Sequence, residues 1–173
     1  DALPISVGLD LASIRVMTEG RDTPPNLENY FTNLQIDENS QRAQLVPHFS
    51  QPITNFSEYL SRLKQGCVCL ENIDIKNDVI TGVVKVKNIA YHKTVVIHYT
   101  FDSWRSEHTV PCYYVNPLSG AKAHSAHDAF SFQLEAESSW NSVEFSVSYE
   151  CQGQTYWDNN SGANYLIVRE KAN

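Results

Sequence analysis

Glycine is scarce in this chain, and the glycine-containing motifs of common enzyme classes are missing. The 173 residues include only 7 glycines, with no Gly-x-Ser-x-Gly turn for a nucleophile and no glycine loop of the kind that holds phosphate groups. The zinc-protease pattern His-Glu-x-x-His is also missing. We therefore expect a protein without enzymatic activity of its own and without a cofactor.

Long apolar runs and an excess of basic residues are missing too. No stretch reaches the roughly 18 consecutive apolar residues that a membrane-spanning helix needs, so no span is predicted. The 13 Lys and Arg residues are outnumbered by 20 Asp and Glu residues, which gives a net charge of -7. Phosphate backbones would on balance be repelled, so nucleic acid is not expected as a partner.

The four cysteines, Cys67, Cys69, Cys112 and Cys151, lack the dense, even spacing of a small secreted domain held by disulfides. A Cys-x-Cys pair with two single cysteines also differs from the usual spacing of zinc ligands. We expect free thiols and a reducing compartment, with zinc binding as the less favoured alternative.

Two groups of residues resemble metal or catalytic sites but have simpler interpretations. His124, His127 and Asp128 follow a Ser- and Ala-rich stretch that is typical of a solvated loop. Glu135 and Glu137 share one face of a strand end, which a surface edge explains without invoking glycosidase carboxylates. The sequence predicts no metal site and no catalytic residue.

The first 50 residues differ in character from the rest. Prolines and many Asn and Gln residues surround one clear apolar run, Leu9 to Met17. This composition favours an extended segment. We predict a partly extended N-terminal arm over residues 1–50 and a β-sandwich domain over residues 51–173. The Leu9 to Met17 run is either an edge strand of that domain or a segment that docks on a partner.

One short helix is predicted at the start of the second region. Its apolar residues recur at helical spacing and share one face: Phe56, Tyr59, Leu60 and Leu63. Asn55 can cap the helix, with Glu58 three residues later completing a capping box. Gly66 is expected to end it in the left-handed conformation.

From Val68 onward the pattern changes to a period of two, which is typical of half-buried antiparallel strands. The alternation is clearest at Val143, Phe145, Val147 and Tyr149. Similar runs are Cys67 to Ile75, Val79 to Asn88, Thr94 to Asp102, Thr109 to Tyr114, Phe130 to Glu135 and Tyr165 to Val168. Short strands without intervening helices predict an all-β fold, an immunoglobulin-like antiparallel β-sandwich.

An aromatic and amide-rich stretch, Tyr156 to Tyr165, has the composition of a sugar-binding site. An exposed indole can cover the apolar face of a glucose unit, while Asn and Asp side chains satisfy the hydroxyl groups. If Tyr156 continues the inward set of Tyr149 after a hairpin at Gly153, Trp157 points to solvent. The alternative is a turn in which Asn and Gly supply positive φ angles and Trp157 belongs to the core.

Two further aromatic residues lie in predicted loops. Trp104 follows an apolar strand, in a position suited to a loop platform, although a core position is nearly as well supported by the sequence alone. Tyr91 stands between Asn88 and Lys93 at a turn. By itself, this second group would be weak evidence for a binding site.

These segments together resemble the family 21 carbohydrate-binding modules, and in particular the glycogen-targeting regulatory subunits of type-1 serine/threonine protein phosphatase. The resemblance runs from about Leu45 to Tyr165. Its motifs are Val46-Pro47-x-Phe49-x-Gln51-Pro52, Arg62-Leu63, Val68-Cys69-Leu70-Glu71-Asn72, Gly82 to Asn88, Thr100-Phe101-Asp102-Ser103-Trp104 and Trp157-Asp158-Asn159-Asn160. The last two are the most specific to this group.

The resemblance implies a β-sandwich without catalytic activity that binds α-1,4-linked glucan. By position, Trp104 and Trp157 resemble the stacking platforms of one site. The polar contacts implied there are Asp158, Asn159, Asn160 and Asn164.

The resemblance also implies a second glucan site. Asn88, Tyr91 and Lys93 match a site of fungal starch-binding members. The chain departs from some of those members at Ser146, where they carry an aromatic residue at the first site. Binding at the first site is therefore expected to be weaker or differently shaped.

In the phosphatase-targeting members, an Arg-Val-x-Phe type motif grips the phosphatase and further docking residues follow it. No such motif is visible in this chain, but the run Leu9 to Met17 resembles the stretch that follows the motif. The residues expected to dock are Leu11, Ile14, Arg15 and Val16. Since the chain opens with Asp1, we interpret it as a piece of a longer protein whose main anchor lies upstream.

The expected function is a non-catalytic, glycogen-binding module that targets protein phosphatase 1 to glycogen and to enzymes such as glycogen synthase. It would work in the cytoplasm on glycogen particles. Two alternatives stay open. One is the starch-binding module of a secreted amylase-type hydrolase, which is disfavoured because the four cysteines lack the spacing of a disulfide framework. The other is a protein-recruitment module that has lost sugar binding.

Overall fold

The computed structural model describes residues 43–116 and 125–171. In chain order these residues form strand β1 (Gln44–Pro47), helix α1 (Phe56–Gly66), and strands β2 (Val68–Lys76), β3 (Val79–Lys87), β4 (Thr94–Thr100), β5 (His108–Pro111), β6 (Tyr113–Tyr114), β7 (His127–Glu135), β8 (Ser142–Cys151), β9 (Gln154–Asp158) and β10 (Tyr165–Glu170). Single 3-10 turns lie at Pro52–Thr54 and Asn160–Gly162.

The strands form two antiparallel sheets. The first has the order β1-β10-β8-β4-β5, and β9 also pairs with β8; the second has the order β2-β3-β7-β6. Alternation along each strand sends one set of side chains between the sheets, as in other β-sandwiches. The fully buried core comprises Leu70, Ile80, Val84, Val86, Val95, Ile97, Val143, Phe145, Val147, Tyr149, Tyr165 and Ile167. The predicted all-β sandwich with one short helix is confirmed.

Helix α1 begins as the sequence predicts and ends one residue later. The Asn55 side chain accepts a hydrogen bond from the Glu58 backbone N–H and donates to the Glu58 carboxylate. At the other end, Gly66 is still helical, and Cys67 is the left-handed residue, with φ 63°. The prediction for Gly66 is wrong because the Cys67 N–H still bonds to the Leu63 carbonyl, so the chain reverses only at Cys67.

Three further differences concern strands. Residues 44–47, assigned from sequence to the arm, form β1 and pair with β10, and the compact unit begins at Ala43. The strand expected over Thr109 to Tyr114 is interrupted at Cys112, because the chain leaves the first sheet after β5 and enters the second at β6. Strand β9 was not among the strands listed from the sequence, although the hairpin considered at Gly153 implied a strand after it.

The four cysteines are free thiols, as predicted, and three of them are buried. Burial raises the pKa of Cys69 and of Cys112 to about 12, so both remain protonated near neutral pH. In residues 43–116 and 125–171, no group of three or more His, Cys, Asp and Glu residues is arranged to hold a metal ion.

Candidate carbohydrate-binding site

Strand β9 presents Trp157 to solvent. Tyr156 is paired with Tyr149 of β8, and their rings stack 5.6 Å apart on the core side, while Trp157 is paired with Ser148 on the outward side. The Trp157 side chain is 52% exposed. The predicted orientation is confirmed, and it follows from the alternation of side chains along β9.

His98 of β4 lies beside Trp157 on the outward face of the first sheet. The two ring centroids are 4.8 Å apart. His98 is held from both sides, because its Nδ1 lies 2.6 Å from Oε1 of Glu107 and its Nε2 lies 2.9 Å from Oγ of Ser148. The imidazole is therefore fixed and limits the rotation of the indole that packs on it.

The loop between β4 and β5 carries Trp104 at the same outward face. Thr100, two residues beyond His98 along β4, accepts hydrogen bonds from the backbone N–H groups of Asp102 and Trp104. Asp102 in turn accepts from the Thr100 hydroxyl and from the backbone and side chain of Ser106. These hydrogen bonds, from Ser106 first, lower the pKa of Asp102 to about 2.

Trp104 itself is held in an uncommon backbone conformation. Both Ser103 and Trp104 have φ near 60°, which costs about 1 kcal/mol or more for a residue other than glycine. The Trp104 side chain is 37% exposed. Below the loop, Phe101 stacks between Trp140 at 4.8 Å and His108 at 5.0 Å, so the loop rests on a fixed aromatic base.

The loop after β9 interrupts the pairing along β8. Strands β9 and β10 both pair with the same edge of β8, but Asp158 faces Val147 while Tyr165 faces Phe145. Ser146 lies between these two pairs and is 6% exposed. The intervening residues 159–164 thus project beside Ser146, where the sequence lacks the aromatic residue of some fungal members.

Asparagine side chains shape this loop. Asn159 accepts a hydrogen bond from the Gly162 N–H, and Asn160 donates to the Asn164 carbonyl. Asn164 donates to the Glu144 carboxylate over 2.6 Å, which ties the loop to the outward face of β8. The positive φ angles of Asn160 and Asn164 suit asparagine, whose short polar side chain tolerates this region.

Asp158 has a different position from the one expected of a sugar contact. Its side chain is 5% exposed and forms an ion pair of 2.6 Å with Arg62 of α1. Its carboxylate also accepts hydrogen bonds from the Tyr165 hydroxyl and the Leu70 N–H, each at 2.7 Å. All these donors belong to the protein, so Asp158 fixes β9 to α1 and β2 instead of facing solvent.

Arg62 and Tyr165 share this polar cluster under the loop. The Arg62 guanidinium donates to the Tyr165 hydroxyl over 2.7 Å. Burial lowers the pKa of Arg62, but the adjacent Asp158 carboxylate, together with Tyr165 and Cys69, raises it by more than burial lowers it. Burial and the same carboxylate raise the pKa of Tyr165. Both side chains therefore remain protonated near neutral pH.

The second predicted group lies at the other end of β4. Tyr91 is 91% exposed, and Asn88 donates from its side chain to the Ser125 carbonyl. The Lys93 ammonium, however, forms an ion pair of 2.7 Å with Asp128, and its side chain is only 5% exposed. Tyr91 is thus available to a ligand, whereas Lys93 is engaged within the protein.

Sequence reasoning missed several residues that build the first site. The period-two pattern already indicates that His98 and Glu144 point outward, although it does not single them out as functional. The contact of Arg62 with Asp158 joins residues 96 positions apart, and no local pattern predicts it. Leu11, Ile14, Arg15 and Val16 lie outside the described residues.

No helix in the described ranges is long and apolar enough to cross a membrane.

The chain was compared with known families and proteins. The family model described as carbohydrate/starch-binding module (family 21) matches residues 62–168. Protein phosphatase 1 regulatory subunit 3B of Homo sapiens is 40% identical over 168 residues, which is 94% of this chain and 58% of that protein. Subunit 3B-B of Xenopus laevis is 36% identical over 95% of this chain and 62% of its own length.

The fold has a solved counterpart. The carbohydrate-binding module of the muscle glycogen-targeting subunit of protein phosphatase-1 superposes with a TM-score of 0.60 at 26% identity, over 76% of this chain and 95% of that one. The chain spans less than two thirds of the length of the regulatory subunits that it matches. These similar proteins are named as regulatory subunits or binding modules, not as enzymes. The chain belongs to family 21 of the carbohydrate-binding modules.

Proposed function

We propose that the outward face of the first sheet binds α-1,4-glucan, with Trp157 and Trp104 as stacking platforms. The observation that carries this proposal is the exposure of Trp157, 52%, on a strand whose adjacent residues are tied to the core. A large indole held in an exposed position keeps its apolar surface in contact with water, which is unfavourable. This unfavourable contact is removed only when a ligand covers the ring. A glucose ring offers a matching apolar face.

The polar surroundings of the indoles suit a neutral, hydroxyl-rich ligand. Glu144, Asn164 and Ser148 supply carboxylate, amide and hydroxyl groups on or next to the same face. Asn159 and Asn160 line the loop beside them. Asp158 supports this loop from below, so we assign it a positioning role. Tyr91, with Asn88, offers a further contact for another part of a branched glucan.

We infer that the module serves a regulatory subunit of protein phosphatase 1, bringing the phosphatase catalytic subunit to glycogen and to enzymes such as glycogen synthase. The names of the similar proteins support this assignment. Binding both the granule and the phosphatase raises the local concentration of the enzyme near its substrates and adds no chemistry of its own. Such a protein would work in the cytoplasm, on glycogen particles.

Co-sedimentation with glycogen tests the binding site. We expect the wild-type module to sediment with glycogen and Trp157→Ala to lose about tenfold in affinity, which corresponds to about 1.4 kcal/mol. Trp157→Phe keeps a flat ring and should retain part of the binding. Phe56→Ala removes another exposed aromatic residue, on helix α1, and should change nothing. Sedimentation of Trp157→Ala at the wild-type level would refute the assignment.

The phosphatase partnership has its own test. A variant with alanine at Leu11, Ile14, Arg15 and Val16 should capture less phosphatase catalytic subunit than the wild-type chain does, measured by pull-down with the purified enzyme. Its binding to glycogen should be unchanged, because the described sandwich begins at Ala43. Equal capture by both chains would show that these residues do not dock.

A further inference from the structure

A groove lies on the outer face of the second sheet, which points away from the Trp157 face. Its volume is about 610 Å³. The cross-strand registers place its residues in two rows, because directly paired residues point to the same side of a sheet. One row is Asn72, Val83, Ser131 and Tyr113, and the other is Asp74, Thr81 and Gln133.

The groove has an aromatic wall and a lining of both apolar and polar side chains. Tyr113 is 68% exposed and stands at the β6 end, next to Pro111. Val83 supplies an apolar patch on the floor. Val110, Pro111 and Phe132 line the groove too, and its polar groups are the amides of Asn72 and Gln133, the hydroxyls of Thr81 and Ser131 and the Asp74 carboxylate. An aromatic ring beside amides and hydroxyls suits a sugar, which presents an apolar ring face with hydroxyl groups around it.

The charge balance of the groove favours a neutral ligand. Asp74 is its charged residue, and its carboxylate pairs with the Lys76 ammonium over 2.9 Å. Within the described part of the chain, the side chains of Asn72, Ser131 and Tyr113 make no hydrogen bond to one another or to other residues. Their polar atoms face the groove and stay available to ligand hydroxyl groups.

The groove is long enough for a short chain of sugars. It crosses β2, β3, β7 and β6 at right angles to the strands. Three strand spacings of about 4.8 Å give a length of about 14 Å. A ligand lying across the sheet would thus contact Asn72 or Asp74 at one end and Tyr113 at the other.

We propose that this groove is an additional glucan-binding site, with Tyr113 as its stacking platform and Asn72, Thr81, Ser131 and Gln133 as polar contacts. The choice of glucan as the ligand rests on the function proposed above for the Trp157 face. Because the two faces point in opposite directions, one module contacts two glucan chains at once. On a branched particle this raises the apparent affinity over that for a single short oligosaccharide.

Backbone amide NMR with maltoheptaose tests the proposal, because it resolves the two faces separately. In the wild-type module we expect saturable shifts at Ser131 and Gln133 as well as around Trp157. In Trp157→Ala the shifts around β9 should disappear and those at Ser131 and Gln133 should remain. In Tyr113→Ala the reverse is expected, with the groove shifts lost and those around Trp157 kept.

Tyr114→Ala is the matched control for Tyr113→Ala. Tyr114 is the next residue, is 51% exposed, and packs edge-on against Phe130 on the other side of the sheet. Groove shifts should survive this change. Gln133→Ala, at an exposed position of β7, provides a second groove variant if Tyr113→Ala perturbs the fold, and it should weaken the groove shifts several-fold.

The outcomes separate this inference from the proposed function. Shifts around Trp157 with none at Ser131 and Gln133 would overturn the groove site and leave the first site standing. Groove shifts that persist in both Tyr113→Ala and Gln133→Ala would also overturn it. Groove shifts without any response around Trp157 would support the groove and refute the first site. A flat response at both faces would refute both.

Discussion

Trp157 and Asp158 are neighbours in β9 but serve opposite sides of the sheet. Trp157 faces solvent, whereas Asp158 is 5% exposed and is engaged by Arg62, Tyr165 and the Leu70 N–H. The two neighbouring residues therefore combine the proposed ligand platform, Trp157, with the residue that anchors its strand, Asp158. Composition suggested sugar contact for both residues, since an exposed and a buried carboxylate look alike in a sequence.

Replacing Asp158 tests its anchoring role. We expect Asp158→Ala to lower the free energy of unfolding by about 3 to 5 kcal/mol, because it leaves a mostly buried guanidinium and a buried N–H without their acceptor. Urea denaturation measures this loss. Asp74→Ala breaks an ion pair whose members are largely exposed and should leave the midpoint almost unchanged. A midpoint for Asp158→Ala close to that of Asp74→Ala would contradict the anchoring role.

At the scale of elements, the loop between β4 and β5 is held by side chains instead of by regular backbone pairing. Thr100, Asp102 and Ser106 form its hydrogen bonds, and Phe101 fixes its base. The motif Thr-Phe-Asp-Ser-Trp thus specifies a conformation as well as a platform. We expect binding by Trp104 to depend on Asp102 although Asp102 need not touch the sugar.

The pH dependence of glucan binding reports on Asp102. Its pKa in the folded protein is about 2, below the ordinary 3.8, so the ionised carboxylate stabilises the loop at higher pH. That contribution is lost as the pH falls from about 4 toward about 2. The affinity for maltoheptaose should therefore decline as the pH falls below about 4.

Asp102→Asn is the comparison variant for this pH profile. It cannot ionise, so its affinity should be lower than that of the wild type at neutral pH and the gap should narrow in acid. Near-UV circular dichroism at each pH checks that the sandwich stays folded. Parallel profiles for the two proteins would exclude a role for the Asp102 charge.

The end of α1 is a second element in which a particular residue matters. Cys67 takes the left-handed conformation that the sequence predicts for Gly66. Cys67→Gly should unfold at a higher urea concentration than Cys67→Ala. Its free energy of unfolding should be larger by about 1 kcal/mol, because only glycine adopts φ 63° without steric cost. Equal midpoints for the two variants would show that this conformation carries no strain. Gly66, which is helical and has space for a Cβ atom, should show the opposite preference, so that Gly66→Ala is more stable than the wild type.

Sequence patterns predicted the types of the helix and strands better than the pairing between distant segments. The alternation in β8 and the helical spacing from Phe56 to Leu63 gave the right element types, since each depends on local periodicity. β1 was not predicted, because its pairing with β10, far along the chain, decides its conformation. Trp104 and Trp157 were singled out by the residues next to them in the sequence. The contacts of His98 with Trp157 and of Arg62 with Asp158 join distant parts of the chain, so only the structure reveals them.

At the scale of the whole molecule, the net charge is -7, whereas the proposed glucan ligand carries no charge. Electrostatic attraction should therefore contribute little to binding. We expect the affinity for glycogen to change less than twofold between about 50 mM and about 500 mM salt, a range over which surface charge interactions are strongly screened. A steep fall with salt, measured by co-sedimentation, would point to a charged partner instead.

The sandwich also sets how many ligands the molecule can engage. Trp104 and Trp157 are proposed to bind one glucan chain at the outward face of the first sheet, and the proposed groove faces the opposite direction. Branched glycogen should bind more tightly per chain end than maltoheptaose, because only a large particle engages both faces of several modules. In Tyr113→Ala this advantage should shrink while binding of maltoheptaose at the Trp157 face is kept.

The central claim is that Trp104 and Trp157 form one glucan site. Titration calorimetry with maltoheptaose on the wild type, Trp104→Ala, Trp157→Ala and the double variant tests it most directly. We predict that each single variant binds more weakly and that the double variant loses less free energy than the two single losses together, as for groups that contact one ligand. Fully additive losses, or wild-type binding by either single variant, would contradict a shared site.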